Sequence, residues 1–248
     1  MSAITNEKLR IASWRIALKD FFVDAIAQKR IWKKVYAGIM HFLIFWGVTI
    51  QVIGTAINLM QMALFTPFAL ENFPRGNIYF AYEFIMDLAG VFILVGVGMA
   101  VFRRYILRPK ALPTAWDDTF ALTLLTLLPL AGFFTEAMRL TSVAPAWAKY
   151  SFAGNWLAGL LQGAGLTPEA AFNFHPWLVL THIALGLALV ASIPFTKLRH
   201  LVNAPLNVIF QPRRVYGALT KVEDLETAEI LGVGQVTEFL PQNLLEFD

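Results

Sequence analysis

The stretch Phe174–Val202, FHPWLVLTHIALGLALVASIPFTKLRHLV, is apolar and long enough to cross a bilayer. A helix needs about 20 apolar residues for that crossing. Inside lipid the backbone has no water to bond, so such a segment must close its own hydrogen bonds as a helix. Yet the stretch carries three of the chain's four histidines, His175, His182 and His200. His182 and His200 stand 18 residues apart. At about 3.6 residues per turn that is five turns, so an unbroken helix brings both imidazoles to one face, about 27 Å apart along the axis. A hydrocarbon core is about 30 Å thick. One helix thus offers an imidazole near each membrane surface, the arrangement needed to hold haem at two depths and pass electrons across.

Composition agrees with a membrane chain: 57% of the residues are hydrophobic and 15% charged, and the mean hydropathy is +0.59. These values exclude an ordinary soluble domain. Cysteine is absent, so the chain has no disulfide, zinc–thiolate or iron–sulfur ligand of its own. The first residues mix Leu9, Trp14, Phe21 and Phe22 with Lys8, Arg10, Arg15 and Lys19. That pattern lacks the apolar core of a signal peptide and reads as an amphipathic helix lying at the cytoplasmic interface.

The remaining spans are expected at Val35–Phe65, Ile78–Leu107 and Thr119–Leu140, giving an all-α, four-helix integral membrane bundle. Three parts follow: an interfacial segment over 1–34, a membrane domain over 35–202 and a polar tail over 203–248. The connection Thr141–Asn173, with Trp147, Tyr150 and Trp156, reads as a helix in the outer interface. Lys and Arg are sorted by side, which reports orientation and not nucleic-acid binding. The N-terminus, the second-to-third loop and the C-terminal tail hold 17 of the 20, leaving Arg75, Arg139 and Lys149 opposite. By the positive-inside rule both termini are cytoplasmic and the chain is a multi-pass protein of the cell membrane.

His41 lies near the inner end of the first span, and His200 near the inner end of the fourth. Two imidazoles from different helices at similar depth can clamp one haem iron among Phe, Leu and Ile. Each histidine taken singly also fits a packed or interfacial residue with a satisfied ring nitrogen. All four, however, fall in only two spans, and ionisable groups within membranes are costly and mostly functional.

The string HIALGLALVASIPFTKLRH, with its His–x17–His spacing and Pro-Phe-x-(Lys/Arg)-Leu-x-His ending, resembles the last helix of respiratory nitrate reductase gamma subunits. Those are dihaem cytochromes b that exchange electrons with quinol. HFLIFWG in the first span is similar to the version fused to heterodisulfide-reductase-like iron–sulfur modules, which look like menaquinone reductases fed by electron-transfer flavoprotein. The resemblance implies that His41 and His200 ligate the haem b nearer the cytoplasm and that His182 is one ligand of an outer haem. The outer partner expected ten residues beyond His41 is replaced by Gln51, a poor iron ligand. The outer haem is therefore either missing or completed by another group. Met60, Met62 and His175 are the alternatives.

Other polar groups on the outer half are Glu83 and Asp87 on span two, and Glu136 with Arg139 on span three, an i,i+3 ion pair,. Asp87 is deep enough that a lone carboxylate would be expensive. Together with His175, His182 and Gln51, the Glu83 and Asp87 carboxyls form a candidate quinone site; a structural hydrogen bond between spans two and four is the plainer reading. The tail segment GQVTEFLPQNLLEFD resembles the run that leads into a cysteine-rich ferredoxin-like stretch in fused relatives. This implies a cytoplasmic iron–sulfur partner or fused domain. The functional expectation is an electron-transfer module joining such a partner to the menaquinone pool. The alternatives are a haem-free membrane anchor for a soluble reductase and a small transporter. The transporter is disfavoured by the lack of repeated or broken helices.

Overall fold

A computed structural model describes residues 14–29, 31–66, 73–109 and 115–210. Among these there is helix and no strand. They fall into two units, one covering Lys34–Leu198 and the other drawing on residues up to Lys33 and from Arg199 onward.

The larger unit contains α1 (Val35–Met60), α2 (Gly76–Val101), α3 (Trp116–Val143), α4 (Phe152–Gly163) and α5 (Pro168–Ser192). α1 and α2 each run on into wider π turns, Gln61–Phe65 and Phe102–Leu107. With those extensions, α1, α2, α3 and α5 are four helices long and apolar enough to cross a membrane. α4 is the helix expected in the outer connection. α1 packs along α2, α2 meets α3, and α5 packs along α3; α4 lies against α3 and, less extensively, α2. Ile93, Val97 and Leu125 form a buried core that Ile44 and Val48 of α1 and Leu189 of α5 close from either flank.

Close approach, not hydrophobic segregation, holds α1 to α2, since lipid tails are as apolar as the side chains. A Cβ on Gly47 would come within 2.6 Å of Ile93 Cγ1 and 2.8 Å of the Ala89 carbonyl oxygen. Reciprocally, Gly96 of α2 leaves room for Ile44 and Leu43. Three side chains then bond across the seam to backbone carbonyls. The Tyr36 hydroxyl donates to Met99 (2.9 Å), Gln51 Nε2 to Met86 (3.0 Å) and the Tyr82 hydroxyl to Gly54 (3.2 Å).

The fourth span differs from its expectation. α5 does not continue to Val202; it ends at Ser192. Two short 3-10 turns, Ile193–Phe195 and Lys197–Arg199, follow before α6 begins at His200. Pro194 is the cause. It has no N–H to give back to the preceding turn, although Ile193 before it keeps helical angles (φ −51°, ψ −53°). The freed groups are taken up locally: Ser192 donates to the Leu189 carbonyl (2.7 Å) and the Thr196 hydroxyl to the Ser192 carbonyl (2.9 Å). Thr196 itself is extended, at φ −126° and ψ 177°. His182 and His200 therefore do not share one helical face.

In the smaller unit, residues 14–26 are helical and Phe21–Ile26 packs against α6 (His200–Phe210). Trp14, Ile16, Leu18 and Phe22 are exposed there. The tail expected to meet an iron–sulfur partner lies, beyond Phe210, outside the described residues.

Gly47→Ala places a methyl group against backbone and is expected to destabilise the α1–α2 seam by about 1–3 kcal/mol. Thermal unfolding in detergent should show a lowered midpoint. Gly98→Ala, where a Cβ would meet nothing within 4 Å, should leave the midpoint in place.

Candidate functional site

His182 sits on the face of α5 that meets α3. Its Nδ1 lies 3.1 Å from the Leu128 carbonyl oxygen. A carbonyl only accepts, so Nδ1 carries the proton, and in the neutral ring Nε2 keeps its lone pair. That is the tautomer and supporting bond typical of an iron-ligating imidazole. Gly132 makes the approach feasible, because a Cβ there would lie 3.2 Å from His182 Cε1. The donor set at His182 fits an axial haem ligand.

The other predicted residues are placed differently. His41, half-buried on α1, stacks on Phe45 with ring centroids 6.3 Å apart and planes 15° from parallel. His41 belongs to the larger unit and His200, the first residue of α6, to the smaller. Their expected pairing rests on the sequence motif. Gln51 is turned toward α2, its amide donating to the Met86 carbonyl. That bond uses the amide nitrogen, and the remaining carboxamide oxygen is a poor ligand for haem iron beside an imidazole,. Met62 is 70% exposed, which does not suit a ligand held among helices. His175 is half-buried two turns before His182 on α5. Among the described residues no group of three or more His, Cys, Asp or Glu side chains could hold a bare metal ion.

Glu83 and Asp87, the carboxylates expected on the outer half, are built into a buried network. Arg139 Nη2 donates to both Glu83 oxygens (3.2 and 3.0 Å) and to Glu136 (3.3 Å), while Nη1 donates to the Tyr79 hydroxyl (3.1 Å). The guanidinium lies 5.0 Å from the Trp147 ring centroid. Ser151, fully buried, donates to Glu83 at 2.7 Å. Asp87, only 2% exposed, accepts from the backbone N–H groups of Ala153 (2.6 Å) and Gly154 (3.2 Å) at the start of α4. The positive end of a helix dipole suits a carboxylate there. Asp87 therefore ties α2 to α4, and not to the fourth span as the plainer expectation held. The i,i+3 pair Glu136–Arg139 is present, but Arg139 also reaches across to Glu83, which sequence spacing alone does not reveal.

A second charged cluster, which sequence reasoning did not find, lies at the opposite end of α2 and α3. Asp118, 9% exposed, accepts from Arg104 at the end of α2, from Lys197 beyond α5 (2.9 Å) and from the backbone of Ala115 (3.0 Å). The hydrogen bond with Asp118 raises the Lys197 pKa. Tyr105 and Thr119 share a hydroxyl–hydroxyl bond of 2.6 Å beside it. The available signal was the Asp117–Asp118 pair opening an apolar span on the Lys- and Arg-rich side.

Over 98% of its length the chain is 29% identical to the EtfAB:quinone oxidoreductase of Syntrophomonas wolfei. Over 92% it is 28% identical to the probable iron-sulfur-binding oxidoreductase FadF of Bacillus subtilis. Over 86% it is 24% identical to the nitrate reductase-like protein NarX of Mycobacterium tuberculosis. The chain spans only 34%, 32% and 32% of the lengths of these relatives. No solved structure matches it. The model of the nitrate reductase gamma subunit family matches residues 32–218, which include all four spans and every histidine. The chain is a multi-pass membrane protein and belongs to the nitrate reductase gamma subunit family.

Proposed function

We propose that this chain is the membrane electron-transfer module of a quinone oxidoreductase, linking a cytoplasmic iron–sulfur partner to the menaquinone pool through haem b. The observation that carries the reading is the His182 imidazole, held by the Leu128 carbonyl in the tautomer an iron ligand requires, in a member of this family. Bound haem supplies one-electron transfer. The chain would hold it through the imidazoles of His41, His182 and His200 and give it an apolar surround. His41 and His200 are the proposed ligands of the inner haem, on the strength of the Pro-Phe-x-Lys-Leu-x-His motif. The names of the first two relatives described above support the quinone and iron–sulfur assignments. The name of the first supports electron-transfer flavoprotein as a partner. The sorted Lys and Arg residues support cytoplasmic termini in the cell membrane.

The outer end is the proposed place of quinone exchange. His175 on α5, Gln51 on α1 and the Glu83–Asp87 pair on α2 are its polar groups. Hydrogen-bond donors beside a quinone carbonyl polarise it, and carboxyls nearby give its protons a route. A haem-free anchor is the second reading, favoured by one observation: Gln51, where the family resemblance calls for a histidine, spends its amide on α2.

Three measurements test the proposal. Purified from haem-replete membranes, the chain should show reduced-minus-oxidised bands of b-type haem; a colourless chain overturns the haem reading. His41→Ala and His200→Ala should each remove the same haem in pyridine haemochrome quantitation. Asp87→Asn and His175→Ala should slow quinone-dependent reoxidation of the reduced haem about tenfold or more, within the range for loss of a positioned acid or base. Unchanged rates would remove those residues from the quinone site.

A further inference from the structure

The outer ligand set is incomplete in a specific way. His182 is oriented as an axial ligand by its bond to Leu128, and Gly132 clears the space for the ring. Gln51 occupies the position where the family resemblance calls for the second histidine, and its Nε2 donates 3.0 Å to the Met86 carbonyl of α2. Carboxamide oxygens bind haem iron weakly beside imidazole nitrogens, and the bond from Nε2 draws the Gln51 side chain to the α1–α2 seam.

The other candidates are no substitute. His175 lies on α5 itself, two turns from His182, so it cannot reach the opposite face of a porphyrin held by that helix. Met60 and Met62 stand 9 and 11 residues beyond Gln51, about 13–17 Å further along α1. Met62 also turns outward, 70% exposed.

We propose that the haem held by His182 has this residue as its single protein ligand, leaving its sixth position open to a small exogenous ligand such as carbon monoxide or cyanide. The assignment rests on the haem reading above and extends it. A bis-imidazole haem is low-spin and closed to such ligands. One with a single proximal histidine is the type found in globins and peroxidases, where the distal side is free to bind. Replacing a histidine by Gln51 thus turns a pure relay position into a ligand-accessible one.

The test uses the full chain, purified with its haem. About two haems per chain are expected by pyridine haemochrome quantitation. Carbon monoxide should shift the Soret band of about half the dithionite-reduced haem, and the oxidised sample should give a high-spin ferric electron paramagnetic resonance signal. His182→Ala should remove that haem, the carbon monoxide response and the high-spin signal together. Gln51→His, which restores a second imidazole, should keep both haems while abolishing the carbon monoxide response and converting the high-spin signal to a low-spin one. A haem-bearing chain without carbon monoxide reactivity overturns the inference and leaves the haem reading standing. Retention of the reactive haem in His182→Ala overturns it equally. So does loss of a single low-spin haem in both His41→Ala and His182→Ala, because those residues would then clamp one iron between them. A chain that binds no haem overturns the reading beneath it.

Discussion

Everything in the larger unit depends on polar groups finding partners where water is scarce. Burying a polar group without a hydrogen bond costs on the order of 2–7 kcal/mol, and an unpaired charge costs more. The chain meets that demand at each level. At one end Arg139 gathers Glu83, Glu136 and Tyr79. At the other, Asp118 gathers Arg104 and Lys197. Between them, side chains on one helix donate to carbonyls on the next, as Gln51 does to Met86 and as His182 does to Leu128. The helices are apolar all round, so these ties and the glycine contacts set which face of each helix meets which neighbour.

That dependence connects packing to chemistry. The Leu128 carbonyl that helps dock α5 on α3 is also what decides which nitrogen of His182 is protonated. The glycine at 132 that admits the ring is part of the same contact. Gln51 shows the converse. A side chain at a position where the family resemblance calls for ligation here serves helix association.

Most of the architecture is legible in the sequence, because bilayer-length apolar runs are a coarse signal that survives without any three-dimensional knowledge. Spans one to three lie within a few residues of their expected ends. The fourth does not, because the His–x17–His spacing suggests an unbroken helix where Pro194, with its missing N–H, stops α5 at Ser192. The site is less legible. Periodicity along one helix can show Glu136 beside Arg139, but not that the guanidinium crosses to Glu83, or that Asp87 bonds the first N–H groups of α4. Those partners are 56 and 66 residues away in sequence. Only the pairing of helices brings them together.

The lock between Asp87, Glu83 and the connection that follows α3 has a bearing on how the chain is made. Synthesis proceeds from the N-terminus, so α2 emerges carrying two carboxyls whose partners, Arg139, Ser151 and the amides of Ala153 and Gly154, have yet to be translated. An acidic residue at the centre of an inserting helix opposes insertion by about 2.5–3.5 kcal/mol. α2 is also the most apolar of the four spans. Its surplus of Ile, Val, Leu and Phe is what lets the segment settle into lipid ahead of the arginine that will neutralise it.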